Sequence, residues 1–214
     1  MREDVKVTKV YSFDELSDAA KEKARDWWRE CESSEFGSFG DELEFAETAA
    51  QLLGIELDTR PVKLMGGGTR QESIIYWSGF SSQGDGASFK ARYGFAVDSP
   101  AKVRAEFGRD EALWKIADDL ADLQAKNGNS LTGEIDQRGN YVHAHTMYVD
   151  WTEREDGEDV SENAEEDLQE LMREFANWIY KGLRDDYEYR MSEENVDDAI
   201  RANEYEFTES GKIY

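Results

Sequence analysis

Two short stretches carry the residue types best suited to chemistry. His143 and His145 are the only histidines of the chain. They stand two apart in Tyr141 to Trp151, a run whose composition predicts a strand. On a strand that spacing puts both imidazoles on one face. Such a pair could supply two ligands to zinc or one general base. Zinc would need a third ligand, for which Cys31, Asp85 and Asp150 are the candidates. Two half-exposed histidines beside Tyr141 and Met147 fit the same pattern without any such role, so no metal and no cofactor is assigned.

The second stretch is Trp77-Ser78-Gly79-Phe80-Ser81-Ser82-Gln83-Gly84-Asp85-Gly86-Ala87-Ser88-Phe89. Its centre, Ser81, Ser82, Gln83, Gly84, Asp85 and Gly86, is a candidate ligand loop. Glycine permits positive φ and close backbone approach, so exposed N–H groups there could cradle an anion or a ligand. A hairpin turn that needs glycine accounts for the loop equally. No Gly-Lys-Ser/Thr follows, which excludes a phosphate-binding P-loop. Gly79-Phe80-Ser81-Ser82-Gln83 lacks the closing glycine of a nucleophile elbow. Asp85 by itself cannot make a calcium loop. The single cysteine, Cys31, has no Cys-His nucleophile signature around it and is expected to be packed and inert. Carboxylates are too abundant to single out a catalytic pair, and no enzyme is assigned.

Charge is the third feature. There are 49 Asp and Glu against 25 Lys and Arg, a net charge of -24 on 214 residues. Residues 30–59 hold acids and no base, and 150–170 hold eleven acids and the one base Arg154, whereas 60–149 are balanced. An acidic chain with zoned charge projects a directional field. It repels nucleic acid and membrane phosphates and attracts basic protein surfaces, including those that grip nucleic acid. The aromatic richness, with six Trp, ten Tyr and ten Phe, would suit base stacking only beside a basic groove, so direct nucleic-acid binding is not expected. The candidate partner-binding carboxylates are Glu42, Glu44 and Glu47, then Glu155, Asp156, Glu158, Asp159, Glu162, Glu165, Glu166, Asp167 and Glu170. On a helix, acids from 162 to 170 would approach the charge density of a phosphate backbone. A solvated acidic coat is the plainer reading of the same charge.

These residues need a scaffold. The length suits one domain, 1–214, and 39% hydrophobic residues supply a core. One cysteine excludes an internal disulfide and suits a reducing cytoplasm. No signal peptide and no membrane span is read. Val5, Val7 and Val10 or Tyr11 suggest a first strand, followed by a capping box at Ser12 to Glu15. Helices are expected from Asp18 to Cys31 and from Asp41 to Leu53, the second stopped by Gly54 with Phe45, Ala49 and Leu52/Leu53 as its buried stripe. Ser33 to Gly40 is read as a loop. Ile55 to Met65, Ile74 to Gly79 and Ala87 to Phe95 read as extended. Ser99-Pro100 reads as an N-cap with proline at the first helical position, opening helices at 101–107 and 111–126. Leu131 to Gln137 and Tyr141 to Trp151 form an expected hairpin over Arg138-Gly139-Asn140. Ser161 is read as the cap of a long helix to Tyr189, and Ser192 as that of a shorter one to Ala202. Tyr205, Phe207 and Ile213 close a small hairpin. Strands arriving in hairpins point to an α+β fold, a mainly antiparallel sheet packed against several helices.

Three segments carry a resemblance: YSFDELSDAAKEKARDWWRE after Val10, YWSGFSSQGDGASF from Tyr76 to Phe89, and ANEYEFTESGKIY from Ala202 to Tyr214. Together they resemble small accessory proteins of bacteriophages and prophages, a family with no established activity, some of whose members are labelled antitoxins. The resemblance implies a phage or mobile-element origin and action in the cytoplasm of an infected bacterium. It carries over no catalytic residue. The expectation is a binding protein that inhibits a host defence or nucleic-acid-handling complex through an acidic surface, by DNA mimicry in its sharpest form. Its partner would be a host protein with a basic, nucleic-acid-binding surface. The alternatives are a small-molecule or metal-binding protein built on loop 79–86, either a sequestering protein or a small enzyme, and an antitoxin-like neutraliser of a basic toxin.

Overall fold

Asp58, Ile74 and Lys90 close a ring of backbone hydrogen bonds. Asp58 N–H donates to Lys90 O at 2.8 Å, Lys90 N–H to Ile74 O at 3.3 Å, and Ile74 N–H to Asp58 O at 2.6 Å. The ring marks the points, at Asp58 and Lys90, where two extended runs of the sequence are cut in two, and at Ile74 it parts an added strand from the run that follows. In this computed structural model, which describes residues 8–34 and 39–214, the run from Ile55 divides into β2 (Ile55–Leu57) and β3 (Thr59–Lys63). The run from Ile74 keeps one strand, β5 (Ile75–Trp77), preceded by β4 (Thr69–Ser73), and the third run divides into β6 (Ala87–Phe89) and β7 (Ala91–Tyr93). The strands on either side of each point pair differently: β2 with β7, β3 with β4, and β5 with β6, all antiparallel. Strand β4 was not anticipated. Gly66-Gly67-Gly68 is the turn between β3 and β4, with Gly67 and Gly68 at positive φ.

β8 (Leu131–Gln137) and β9 (Met147–Arg154) complete a four-stranded sheet in the order β2-β7-β8-β9. The exposed edge of β9 is blunted by a helix. Val149 N–H donates to Gln169 Oε1 at 3.3 Å, and Met147 O accepts from Arg173 Nη2 at 3.1 Å, which removes ladder groups that would otherwise invite another strand. The fold is α+β, with mainly antiparallel pairing in hairpin-like sheets.

The chain folds as two compact units, 1–39 with 185–214, and 40–184. The larger holds α2 (Gly40–Leu53), α3 (Ser99–Glu106), α4 (Glu111–Lys126) and most of α5 (Ala164–Met191). Its core is Phe89 against Phe175, with ring centroids 5.6 Å apart, surrounded by buried Leu113, Ile116, Leu120, Leu131, Ile135, Leu168 and Met172. Burying each of these large side chains contributes about 1.5–3 kcal/mol. Two buried amides tie elements together. Gln124 exchanges hydrogen bonds with the backbone of Leu131 at 2.8 and 3.1 Å. Asn127 takes the Ser161 N–H at 2.8 Å and donates to Leu123 O at 2.9 Å.

The smaller unit holds β1 (Tyr11–Ser12), α1 (Asp18–Ser34), α6 (Glu193–Ala202) and β10 (Glu206–Phe207). β1 pairs antiparallel with β10, and Phe13, Leu16, Ala20, Ala24, Val196, Ile200 and Phe207 form its core. The capping box of Ser12 and Glu15 forms, but on a 3-10 turn at Phe13–Glu15 rather than on α1. Val5, Val7 and part of the expected 33–40 loop lie outside the described residues.

Five local expectations need correction. Cys31 is exposed rather than packed, because it lies near the outer end of α1. Phe45 is exposed, and the buried stripe of α2 is Ala46, Ala49, Ala50 and Leu53, because the small alanines let α2 pack closely. Asp98 rather than Ser99 is the N-cap of α3. Ser161 does not cap α5: its backbone N–H is bound to Asn127, and α5 starts at Ala164 after Asn163 at positive φ. His143 and His145 are not on a strand. The β8–β9 register pairs Gln137 with Met147, so the connection runs from 138 to 146 and contains a 3-10 turn at Ala144–Thr146.

Candidate functional site

The structure places the two stretches side by side. Loop 79–86 lies against the β8–β9 connection. A Cβ built on Gly86 would fall 2.5 Å from His143 Cβ, and one on Gly84 would touch the Tyr141 ring at 3.7 Å. Gly86 is thus required by close approach to another segment, whereas Gly84 is in ordinary contact only. Tyr141 and His143 rings stack at 6.2 Å, and His143 meets His145 edge-on at 6.0 Å. On the other side of the loop, Phe80 stacks between Trp77 at 6.1 Å and Tyr180 at 5.6 Å. The Tyr180 hydroxyl donates to Gly79 O at 3.0 Å. Burial raises the Tyr180 pKa above its ordinary value, and the negative charge of Asp85 adds to the effect.

The anion cradle expected of this loop is filled from within. Asp85 Oδ2 accepts from the N–H groups of Ser81 at 2.9 Å and Ser82 at 2.6 Å. An incoming anion would have to displace a carboxylate. Among the described residues, no group of three His, Cys, Asp or Glu side chains is placed to hold a metal ion. Asp85 is engaged by its own loop, and Asp150 takes the guanidinium of Arg138.

The acidic residues form a different surface. Glu155, Asp156, Glu158, Asp159, Glu162, Glu165, Glu166, Asp167 and Glu170 are all exposed. The one base among residues 150–170, Arg154, is spent on its own surroundings. It binds the Asp156 carboxylate, donates to Ser130 Oγ at 3.2 Å and to Asp159 O at 3.2 Å. Arg154 holds the Asp156 carboxyl below its ordinary pKa. Glu165, Glu166 and Asp167 occupy the first turn of α5, where the helix dipole favours negative charge. Glu165 to Glu170 places four carboxylates within about 7.5 Å of helix axis, roughly one per 2 Å, close to the spacing of duplex phosphate charge. Glu162 precedes the helix.

A groove of about 290 Å³ separates α4 from α5 and is lined by Asp119, Asp122, Leu123, Lys126, Asp167, Glu170 and Leu171. Asp119 and Asp122 were missed by sequence reasoning. The available signal was their position beside Leu120 and Leu123, the buried stripe of a strongly periodic helix. Lys115 bridges Asp119 at 2.7 Å and Glu174 at 3.2 Å, so charge is partly balanced at that end. The acids of α2 lie elsewhere. Glu42 approaches Gly182, about 18 Å along α5 from Glu170. Glu47 lines a separate cleft of about 380 Å³ with Gln51, Gly54, Ile55, Glu56, Leu57 and Ser73. No helix among the described residues is long and apolar enough to cross a membrane.

The fold is α+β, and the start of α5 carries the exposed carboxylates Glu165, Glu166, Asp167 and Glu170. The chain belongs to the family described as Domain of unknown function (DUF8835), whose model matches residues 39–193. That range contains the loop 79–86, the histidines and the 155–170 acids. The segments Val10–Glu30 and Ala202–Tyr214 fall outside it. No curated protein and no solved structure matches the chain.

Proposed function

We propose that this chain is a binding protein that occupies a basic, nucleic-acid-binding surface of another protein through the carboxylate face at 155–170. The observation that carries the reading is the uninterrupted exposure of those acids, with Arg154 folded back onto Asp156 and Asp159. Acids held on a helix are pre-organised, so little is lost in ordering them on binding. A Lys/Arg channel shaped for phosphates would meet a comparable charge spacing. Asp119 and Asp122 across the groove broaden the negative patch. In its fullest form the reading is a phage or mobile-element accessory protein. It acts in the cytoplasm of an infected bacterium and inhibits a host defence or nucleic-acid-handling complex by mimicking DNA. The resemblance of the three segments and the net charge of -24 support that form.

The test is affinity capture from bacterial lysate at low salt, with elution by a salt gradient. A basic nucleic-acid-binding complex eluting with salt is the expected result. Capture that survives the double substitution Glu165→Lys, Glu166→Lys unchanged would overturn the mimicry form.

A further inference from the structure

Backbone pairing continues beyond both ends of the β5–β6 pair. Ser78 N–H donates to Gly86 O at 3.1 Å and Lys90 N–H to Ile74 O at 3.3 Å, on either side of the Tyr76–Ser88 pair. Opposed residues share a face of a sheet, and so do residues two apart. Tyr76, Ser78, Gly86, Ser88 and Lys90 therefore line one face, and Phe89 on the opposite face meets Phe175 in the core. His143 packs directly on Gly86. Ser78 stands across from Gly86, about 5.5 Å away at Cα, and Ser88 two residues along, about 7 Å away. His143 thus sits between two serines.

Ser78 Oγ, Ser88 Oγ and His143 Nδ1 are each shut off from solvent and each lack a hydrogen-bond partner, and Ser88 is 0% exposed. Buried polar atoms without partners are rare and costly, and three around one glycine call for a shared partner. An oxygen that both donates and accepts satisfies all three, since such guests make 2–4 hydrogen bonds to polar groups. Charge selects against an ion. Two of the three groups are serine hydroxyls, which carry no charge, and Lys90 on the same face is already paired with Asp136 at 2.5 Å.

We propose that Ser78, Ser88 and His143 form a binding site for one small uncharged oxygen ligand, a water or the hydroxyl of a small polyol, beneath the 141–146 segment. The inference stands apart from the acidic-surface reading and uses none of its residues. Thermal unfolding of Ser88→Ala and Ser78→Ala tests it, with Ser99→Ala as reference, because Ser99 Oγ is also buried and unpartnered but lies on α3. An occupied site predicts that each of the first two variants lowers Tm by about 2–4 °C while the reference does not fall. A site without a guest predicts that deleting either hydroxyl relieves an unmet group and leaves Tm unchanged or higher, which would overturn the proposal. As a second readout, the 15N shift of His143 Nδ1 should report a hydrogen bond that changes in Ser88→Ala. An Nδ1 with no hydrogen bond in the parent protein would also overturn it. Native mass spectrometry before and after refolding in plain buffer separates the sources. A polyol adduct lost on refolding identifies a solute, and an unchanged mass with the same variant effects identifies water.

Discussion

Arg25 and Asp197 show what one pair of residues does for the smaller unit. Arg25 Nε and Nη2 reach Asp197 at 2.6 and 2.8 Å in a two-pronged bond, and the side chains are 11% and 13% exposed. Arg25 keeps Glu22 and Glu193 as further partners, so Asp197→Asn should cost about 1–3 kcal/mol for the lost charged hydrogen bonds, read by thermal or denaturant unfolding. The hydrogen bond from Arg25 holds the Asp197 carboxyl below its ordinary value of 3.8. A carboxylate with a depressed folded pKa contributes stability that is present above its unfolded pKa and lost as pH falls through the folded one. Stability should therefore drop on acidification below about pH 4, and Asp197→Asn should flatten that drop. Tyr93 has the opposite sense: burial pushes its hydroxyl up to about 12 from 10.0. Folding holds the neutral form, so its contribution should decline as pH rises from 10.0 towards 12, followed by phenolate absorbance. Gly86→Ala places a methyl 2.5 Å from His143 Cβ, and that overpacking should cost about 1–3 kcal/mol.

At the level of elements, helix ends were legible where a residue type dictates them. Gly54 at positive φ stops α2, and Asn127-Gly128 closes α4. Strand composition was legible too, but the division of the strands was not. The ring of Asp58, Ile74 and Lys90 joins residues distant in sequence, and no periodicity records where a strand changes partner. The histidines were misplaced for a related reason. Tyr141 to Trp151 reads as extended, yet the register of Gln137 with Met147 assigns its first residues to a connection. The face shared by Ser78 and Ser88 was hidden because it exists only once the β5–β6 register is known. Asn127 links the end of α4 to the approach to α5 through Ser161. Asn127→Ala would strip the partly buried Ser161 N–H of its acceptor and should cost about 1–3 kcal/mol by denaturant unfolding. It should also loosen the acidic segment that follows, seen as faster amide exchange at 155–163.

Across the whole molecule, the charge asymmetry visible in the sequence survives folding in one place and disperses in another. The acids at 155–170 remain exposed, whereas Glu42 and Glu47 belong to different surroundings. A surface of that kind gains affinity chiefly from long-range attraction, which salt screens. Partner binding measured against salt concentration, for the parent protein and for Glu165→Lys, Glu166→Lys, is the most direct test of the acidic face. Tight binding at low salt, a steep fall as salt rises, and at least a tenfold loss in the double variant, equivalent to about 1.4 kcal/mol, are expected. Binding that is indifferent to salt and unchanged in the variant would contradict a partner-binding role for these carboxylates.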